Sequence, residues 1–200
     1  DAVARCRAFI RIKTSYVLGA GNEAPIVPYD YDPLDELWLV TNIARSLLTL
    51  PETIAYFDPN GEALHSITDV EESLEYHEEN GLLPLEVWTT VRGYRYAGDP
   101  SWAVIDTVGM SQLDLPDQEA CFPIGAFSLP EVSHFLRQVA AISCETGTDV
   151  ADGERRVGPG GIEWWALHID EGLALPPRRV LRWFPVNAPQ PPIKLLKKRP

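Results

Sequence analysis

Hydrophobic and polar positions alternate with a period of two at the start of the chain. Ala2, Ala4, Cys6, Ala8, Ile10 and Ile12 form a small apolar face, and Val3, Arg5, Arg7, Phe9, Arg11 and Lys13 form a largely cationic one. Alternation of this kind places successive side chains on opposite faces of a pleated strand, so a half-buried strand is expected here. The period changes after Asp32-Pro33, a pair suited to a helix N-terminus. Leu34, Leu37, Trp38, Ile43, Ala44, Leu47 and Leu48 recur at helical spacing, which predicts a helix from about residue 33 to 49, stopped by Pro51. Thr53 to Phe57 and Glu62 to Ser66 flank Asp58-Pro59-Asn60-Gly61 and predict a hairpin.

Thr68 and Glu71 have the spacing of a capping box, and Asn80-Gly81 supplies a left-handed stop, giving a short acidic helix over 69–79. Leu85 to Tyr96 alternates as a strand, and Gly98-Asp99-Pro100 turns it into a second strand from Trp102 to Val108. Ser128 and Glu131 form another capping box, with Pro130 in the first turn and an apolar face through Leu129, Val132, Leu136, Val139 and Ile142 as far as Gly147. Ile162 to Ile169 and Arg179 to Phe184 read as further strands beyond a loop punctuated by Asp152-Gly153 and Gly158 to Gly161. Strands outnumber helices and hairpins dominate over βαβ alternation. The fold class is therefore α+β, a mainly antiparallel sheet with about three helices packed on it. The simplest partition is one domain over 1–187 and a proline-rich basic tail over 188–200.

Composition narrows the function classes. With 17 Lys and Arg against 29 Asp and Glu, the 200-residue chain carries a net charge of -12, which argues against a phosphate-tracking surface and hence against nucleic acid as a partner. No apolar run approaches the roughly 20 residues of a bilayer span, and the first residues lack a signal-peptide pattern; no membrane association and a cytoplasmic location are expected. The chain opens at Asp1 rather than Met, inside a predicted strand, as a trimmed piece of a longer gene product would. The tail holds Lys194, Lys197, Lys198 and Arg199 and no acid, so the remaining 17 less 4 basic residues face all 29 acids, a net charge of -16. Behind the stiff Ala188-Pro189-Gln190-Pro191-Pro192 linker, this end either folds back on the acidic body or extends to a partner, and a solvated, frayed terminus is the simpler expectation.

Chemistry is sparse. The three cysteines, Cys6, Cys121 and Cys144, are widely spaced and fit small buried hydrophobes better than a disulfide framework or a zinc knuckle. No phosphate-loop, dinucleotide, nucleophile-elbow or zinc-protease motif occurs, and no metal or cofactor is expected. His77-Glu78-Glu79 reads as a solvated helix face. His168 shares a strand face with Trp164 and Ala166, an aromatic wall with a titratable group at its end. Asp106 shares a face with Trp102, Val104 and Val108, where a carboxylate is costly unless it is paired. Glu119 would meet it if their strands are adjacent. The pair could then do acid/base work, although an arginine partner, from Arg5, Arg7 or Arg11, is the simpler expectation. The catalytic candidates are thus Asp106, Glu119 and His168. Trp88, Tyr94, Tyr96 and Trp102 gather around one hairpin, as core or as a partner-binding surface.

Several of these pieces form a spaced pattern: Leu50-Pro51 to Tyr56, Asn60-Gly61, Pro84-Leu85-Glu86-Val87-Trp88, Asp106-Thr107-Val108-Gly109-Met110, Asp117 to Glu119, and Asp152-Gly153. From about residue 40 to 170 the chain resembles a bacterial family known only as a domain of unknown function. The resemblance implies an α+β bacterial cytoplasmic domain and carries over no catalytic residue; the basic, proline-rich tail is a departure from the family pattern.

Three readings of function follow. The first is a non-enzymatic protein-binding module of the immunity or adaptor type, its acidic surface set against a basic partner. The second is an enzyme without a recognisable motif, using the paired carboxylates and the histidine around a pocket. The third is a regulatory domain of a longer chain. Oligomeric state is not legible.

Overall fold

The computed structural model describes residues 2–19, 21, 23, 26–147 and 150–196. After a single helical turn, α1 (Ala2–Arg5), the chain reaches α2 (Pro33–Leu48), β1 (Tyr56–Asp58), β2 (Ala63–His65), α3 (Ile67–Asn80), the one-turn α4 (Leu85–Trp88), β3 (Thr90–Arg95) and β4 (Trp102–Val108). A 3-10 turn at Met110–Leu113 leads to β5 (Asp117–Pro123), α5 (Leu129–Thr146), β6 (Arg155–Val157), β7 (Glu163–Ile169) and β8 (Val180–Pro185).

Local chemistry sets the helix ends. The Asp32 carboxylate accepts the Leu34 and Asp35 amides at 2.8 and 3.4 Å, with Pro33 opening α2. The box that starts α3 is Ser66 with Asp69 rather than Thr68 with Glu71: the Ser66 hydroxyl accepts the Asp69 amide at 3.1 Å, and Asp69 accepts the Ser66 amide at 3.2 Å. Ser128 and Glu131 form the expected box on α5, and Gly81 and Gly147 end α3 and α5 in the left-handed region.

Two expected strands differ. Leu85, Val87 and Trp88 are all buried. This stretch coils into α4, with the Thr89 amide and hydroxyl both donating to the Leu85 carbonyl at 2.8 and 2.6 Å; only Thr90–Arg95 is a strand. The N-terminal alternating segment is not a strand, because no neighbour among the described residues takes its ladder hydrogen bonds. Residues 3–11 of it have exposed side chains, Phe9 by 85%, and Cys6 is exposed rather than buried.

Six strands form a mixed sheet in the order β3-β4-β5-β8-β7-β6, antiparallel throughout except for the parallel pair β5–β8. β1 and β2 make a separate hairpin, as the Asp58 to Gly61 turn predicts. Helix α5 covers one face of the large sheet, burying Val132, Phe135, Leu136 and Val139 against Ile105, Ala120, Phe122, Trp164, Leu181 and Trp183. The helices α2 and α3 do not lie on that face. With α4 and the 3-10 turn they build a second core around Leu37, Leu48, Val70, Leu74, Trp88 and Met110. His77 faces this side and is buried, not solvated. No helix among the described residues is long and apolar enough to cross a membrane.

Candidate functional site

The sheet face turned away from α5 carries a row of charges. Strand register places Arg92 opposite Asp106, Asp106 opposite Glu119, and Glu119 opposite Arg182, so four neighbouring strands contribute the sequence plus, minus, minus, plus to one line. Asp106 and Glu119 have no exposed surface. Arg92 grips Asp106 with two bonds, Nε to Oδ1 at 3.2 Å and Nη2 to Oδ2 at 2.8 Å. Arg178, from the loop before β8, adds its Nη2 to the same carboxylate and its Nε to Asp117 at 2.9 Å. Arg182 Nε pairs with Glu119, whose second oxygen accepts the Leu173 amide at 2.9 Å.

Asp117 also accepts the Thr107 hydroxyl at 2.9 Å and the Met110 amide at 3.2 Å. Burying a carboxylate without partners is prohibitive; here each is met by arginine and by further donors, the arrangement that makes such burial tolerable. Burial still raises the Glu119 and Asp117 carboxyls, opposed by the guanidinium of Arg182 at one, and by the Met110 amide and then Arg178 at the other. The bond to Asp106 raises Arg92, keeping it cationic.

Asp106 and Glu119 are therefore adjacent, as the catalytic reading requires, but they are sealed and matched by charge. Their partners are Arg92, Arg178 and Arg182, not Arg5, Arg7 or Arg11. One of the three was readable: a lone arginine within Val180-Leu181-Arg182-Trp183-Phe184, an otherwise apolar run, has to meet a buried acid. Arg178 lies in a loop, where periodicity gives no direction for its side chain.

His168 does not join them. It pairs in register with Leu181, so it points to the α5 side of the sheet while Arg182 and Glu119 point to the other. Its Nε2 donates to the Val150 carbonyl at 2.5 Å and its amide to Asp152 Oδ1 at 2.6 Å. A carbonyl only accepts, so the proton sits on Nε2. His168 is among the residues that line a cleft of about 340 Å³, with Asp114, Leu115, Pro116, Gly147, Ile169, Asp170 and Arg179. No group of three or more His, Cys, Asp or Glu side chains that could hold a metal ion occurs among the described residues.

The four aromatic candidates separate. Trp88 is wholly buried, edge-on to Trp38 at 5.2 Å, with Nε1 donating to Thr41 Oγ1 at 2.9 Å; it is core and closed to a partner. Tyr94, Tyr96 and Trp102 do converge, around a cluster that includes Val104, Cys121 and Phe184 and is closed over by Leu195. The chain after β8 is not frayed as far as Leu196: it folds back, and the Leu195 carbonyl accepts Arg182 Nη1 at 2.7 Å. Residues 197–200, with Lys197, Lys198 and Arg199, lie outside the described residues.

The spaced pattern of short motifs also acquires a physical basis. Gly61 and Gly109 meet at the Trp88 carbonyl: a Cβ on Gly109 would lie 2.5 Å from that oxygen and 2.9 Å from Gly61 Cα. Gln112 ties the junction together, its amide donating to Asp58 at 2.8 Å and to the Trp88 carbonyl at 2.9 Å. The glycines are there because two backbones approach too closely for a side chain.

Residues 106–184 match the family described as Domain of unknown function, DUF4261. No curated protein matches the chain, and no solved structure does. The DUF4261 segment runs from Asp106 on β4 to Phe184 on β8. It holds five members of the charge row and its extension, Asp106, Asp117, Glu119, Arg178 and Arg182, together with His168, and leaves Arg92 and the C-terminal segment outside.

Proposed function

We propose that the chain is a non-enzymatic protein-binding module, of the immunity or adaptor type, that uses an acidic surface to take a basic partner. The observation that carries this reading is the division of the acids. Those inside the sheet are neutralised by arginines and closed to solvent, which leaves them no substrate to act on. On the exposed side of α3, Glu72, Glu75 and Glu79 join no ion pair among the described residues and flank Tyr76, itself 56% exposed. Unmatched charge of one sign steers an oppositely charged protein and raises its rate of encounter, and an exposed aromatic within it supplies contact area.

The test is affinity capture with the full chain at low and high salt, repeated with Glu72→Gln, Glu75→Gln and Glu79→Gln combined. One basic protein retained at low salt, released at high salt and lost in the triple variant is expected. Retention that ignores both salt and the substitutions overturns the reading.

A second reading, a small-molecule enzyme, is favoured by one observation: His168 lines a cleft of about 340 Å³ with its Nε2 engaged by the Val150 carbonyl. In that case Nδ1 is the base, and Asp106 and Glu119 have no part in the reaction.

A further inference from the structure

The segment after β8 lies on the charged face of the sheet through Leu195, with Ala188 and Leu196 packed half-buried against the same cluster. Leu195 has no exposed surface and fills a socket walled by Trp102, Val104, Cys121 and Phe184, with Tyr94, Tyr96 and Trp165 at its edge. Its carbonyl takes one bond from Arg182. Ile193 and Lys194 on its N-terminal side are exposed. Two buried polar atoms at the same face, Arg182 Nη2 and Tyr94 Oη, have no hydrogen-bond partner, so the segment leaves donors unused that an acceptor from a peptide would satisfy.

We propose that this face is a peptide socket, that its intended occupant is a basic segment of a partner protein bearing a leucine-like side chain, and that residues 188–196 are a resident stand-in which the partner displaces. The proposal rests on the binding-module reading above, in which the α3 acids steer the partner, and adds a separate seat for one segment of that partner. Three observations specify the chemistry. The socket is apolar and aromatic, and it encloses one branched aliphatic side chain, Leu195, with Leu196 and Ala188 at its margin. Arg182 reads a main-chain carbonyl beside that side chain and has a further donor to spare. The sequence that supplies Leu195, Pro-Pro-Ile-Lys-Leu-Leu-Lys-Lys-Arg, carries four positive charges and no negative ones next to a body of net charge -16, being 17 less 4 basic residues against 29 acids, so a competing segment of the same sign is drawn to the same place. The proline-stiffened linker keeps the stand-in at an effective concentration in the mM range, and it masks the socket until a better ligand arrives.

The test uses a fluorescent peptide with the sequence of residues 188–200, titrated by anisotropy into the full chain and into full-chain Leu195→Asp. The variant is expected to bind at least about tenfold more tightly than the unaltered chain, because its own segment no longer competes, and to lose affinity as salt is added. A folded Leu195→Asp chain that binds no peptide, or binds it no better than the unaltered chain does, overturns the socket; salt-sensitive capture of a basic protein by the unaltered chain would then leave the module reading standing. Concentration-dependent dimerisation that Leu195→Asp abolishes would assign the socket to the tail of a second copy and overturn the partner peptide. Should the variant not fold, hydrogen exchange on the unaltered chain decides. The Leu195 and Leu196 amides, bonded to the Pro192 and Ile193 carbonyls, are expected to exchange at least about a hundredfold faster than the amides of β4 and β5, by local release. Exchange as slow as that of the central strands makes the segment fixed core and overturns the proposal.

Discussion

Asp106 on β4 lies directly opposite Glu119 on β5, two carboxylates side by side in the middle of a sheet, and each is matched from its outer side by the arginine of the next strand. Like charges at directly opposed positions repel, so the outer arginines are a condition for the strands to pair in this register. Removing one member of a pair strands the other in a dry interior. Glu119→Gln should cost about 3–5 kcal/mol, whereas Glu119→Leu with Arg182→Met should recover most of that loss. Urea unfolding of the two variants tests the difference; a double variant as unstable as the single one would mean the charges themselves are indispensable.

The pH dependence of stability follows from the direction of the shifts. Burial raises Glu119 and Asp117, so the folded chain holds protons that the unfolded chain has released. Their contribution is complete below the ordinary carboxylate range, near pH ~4, and is lost as pH climbs through the raised folded values. Asp69, Asp99 and Glu131, lowered by serine hydroxyls, act in the opposite sense and lose their contribution as pH falls. When Glu119→Leu is combined with Arg182→Met, the loss of stability contributed by raised carboxyls as pH climbs above the ordinary carboxylate range should shrink, because one of the two raised groups is gone. Unfolding midpoints measured as pH climbs above that range check it, and an unaltered slope would count against the assignment.

Glycines at the Trp88 junction should be far less replaceable than glycines at helix ends. Gly109 has φ 124° and a Cβ there meets the Trp88 carbonyl, so Gly109→Ala should cost at least ~2 kcal/mol. Gly147 has φ 59° and open space around it, and Gly147→Ala should cost about 1 kcal/mol. Thermal or urea melts of the two variants give the comparison directly.

Thiol reactivity should rank by exposure. Cys6 is exposed, burial pushes Cys144 up to about 11, and Cys121, wholly buried beside Glu119, is raised further. Mass spectrometry of the native chain after brief treatment with iodoacetamide should find Cys6 modified first and Cys121 last. Early labelling of Cys121 would show that the face under Leu195 opens readily.

Much of the fold was legible because it is written in local chemistry. Asp32-Pro33, Ser128 with Glu131, Asp58 to Gly61 and the helical spacing of α2 and α5 each decide a boundary within a few residues of chain. Where the sequence misled, partners distant in the chain decided the outcome. The alternation of residues 2 to 13 is a strand pattern without a strand to pair with. Leu85 to Trp88 alternates on paper, yet Trp38 and Thr41 draw Trp88 inward and the segment coils. The meeting of Asp106 with Glu119 followed from adjacency of their strands, and Arg92 reaches Asp106 across the β3–β4 hairpin, but Arg178 and Arg182 reach the row through the parallel entry of β8, which no local signal announces. The convergence of Tyr94, Tyr96 and Trp102 was visible as a cluster; what closes over it, a leucine from the far end of the chain, was not.

The one parallel contact in the sheet has a kinetic consequence. Strands β3, β4 and β5 form one meander, and β6, β7 and β8 another, each built from antiparallel neighbours. Their strands are hydrogen-bonded to one another along β5 and β8, whose residues 117 and 180 are separated by the whole of α5 and most of the second meander. Closing that loop costs chain entropy before any contact repays it, so the two halves should assemble first and the seam last. The ion pair between Glu119 and Arg182 spans the seam. Weakening it should hasten unfolding and leave the rate of folding nearly untouched, making this pair the clasp that determines how long the assembled sheet survives.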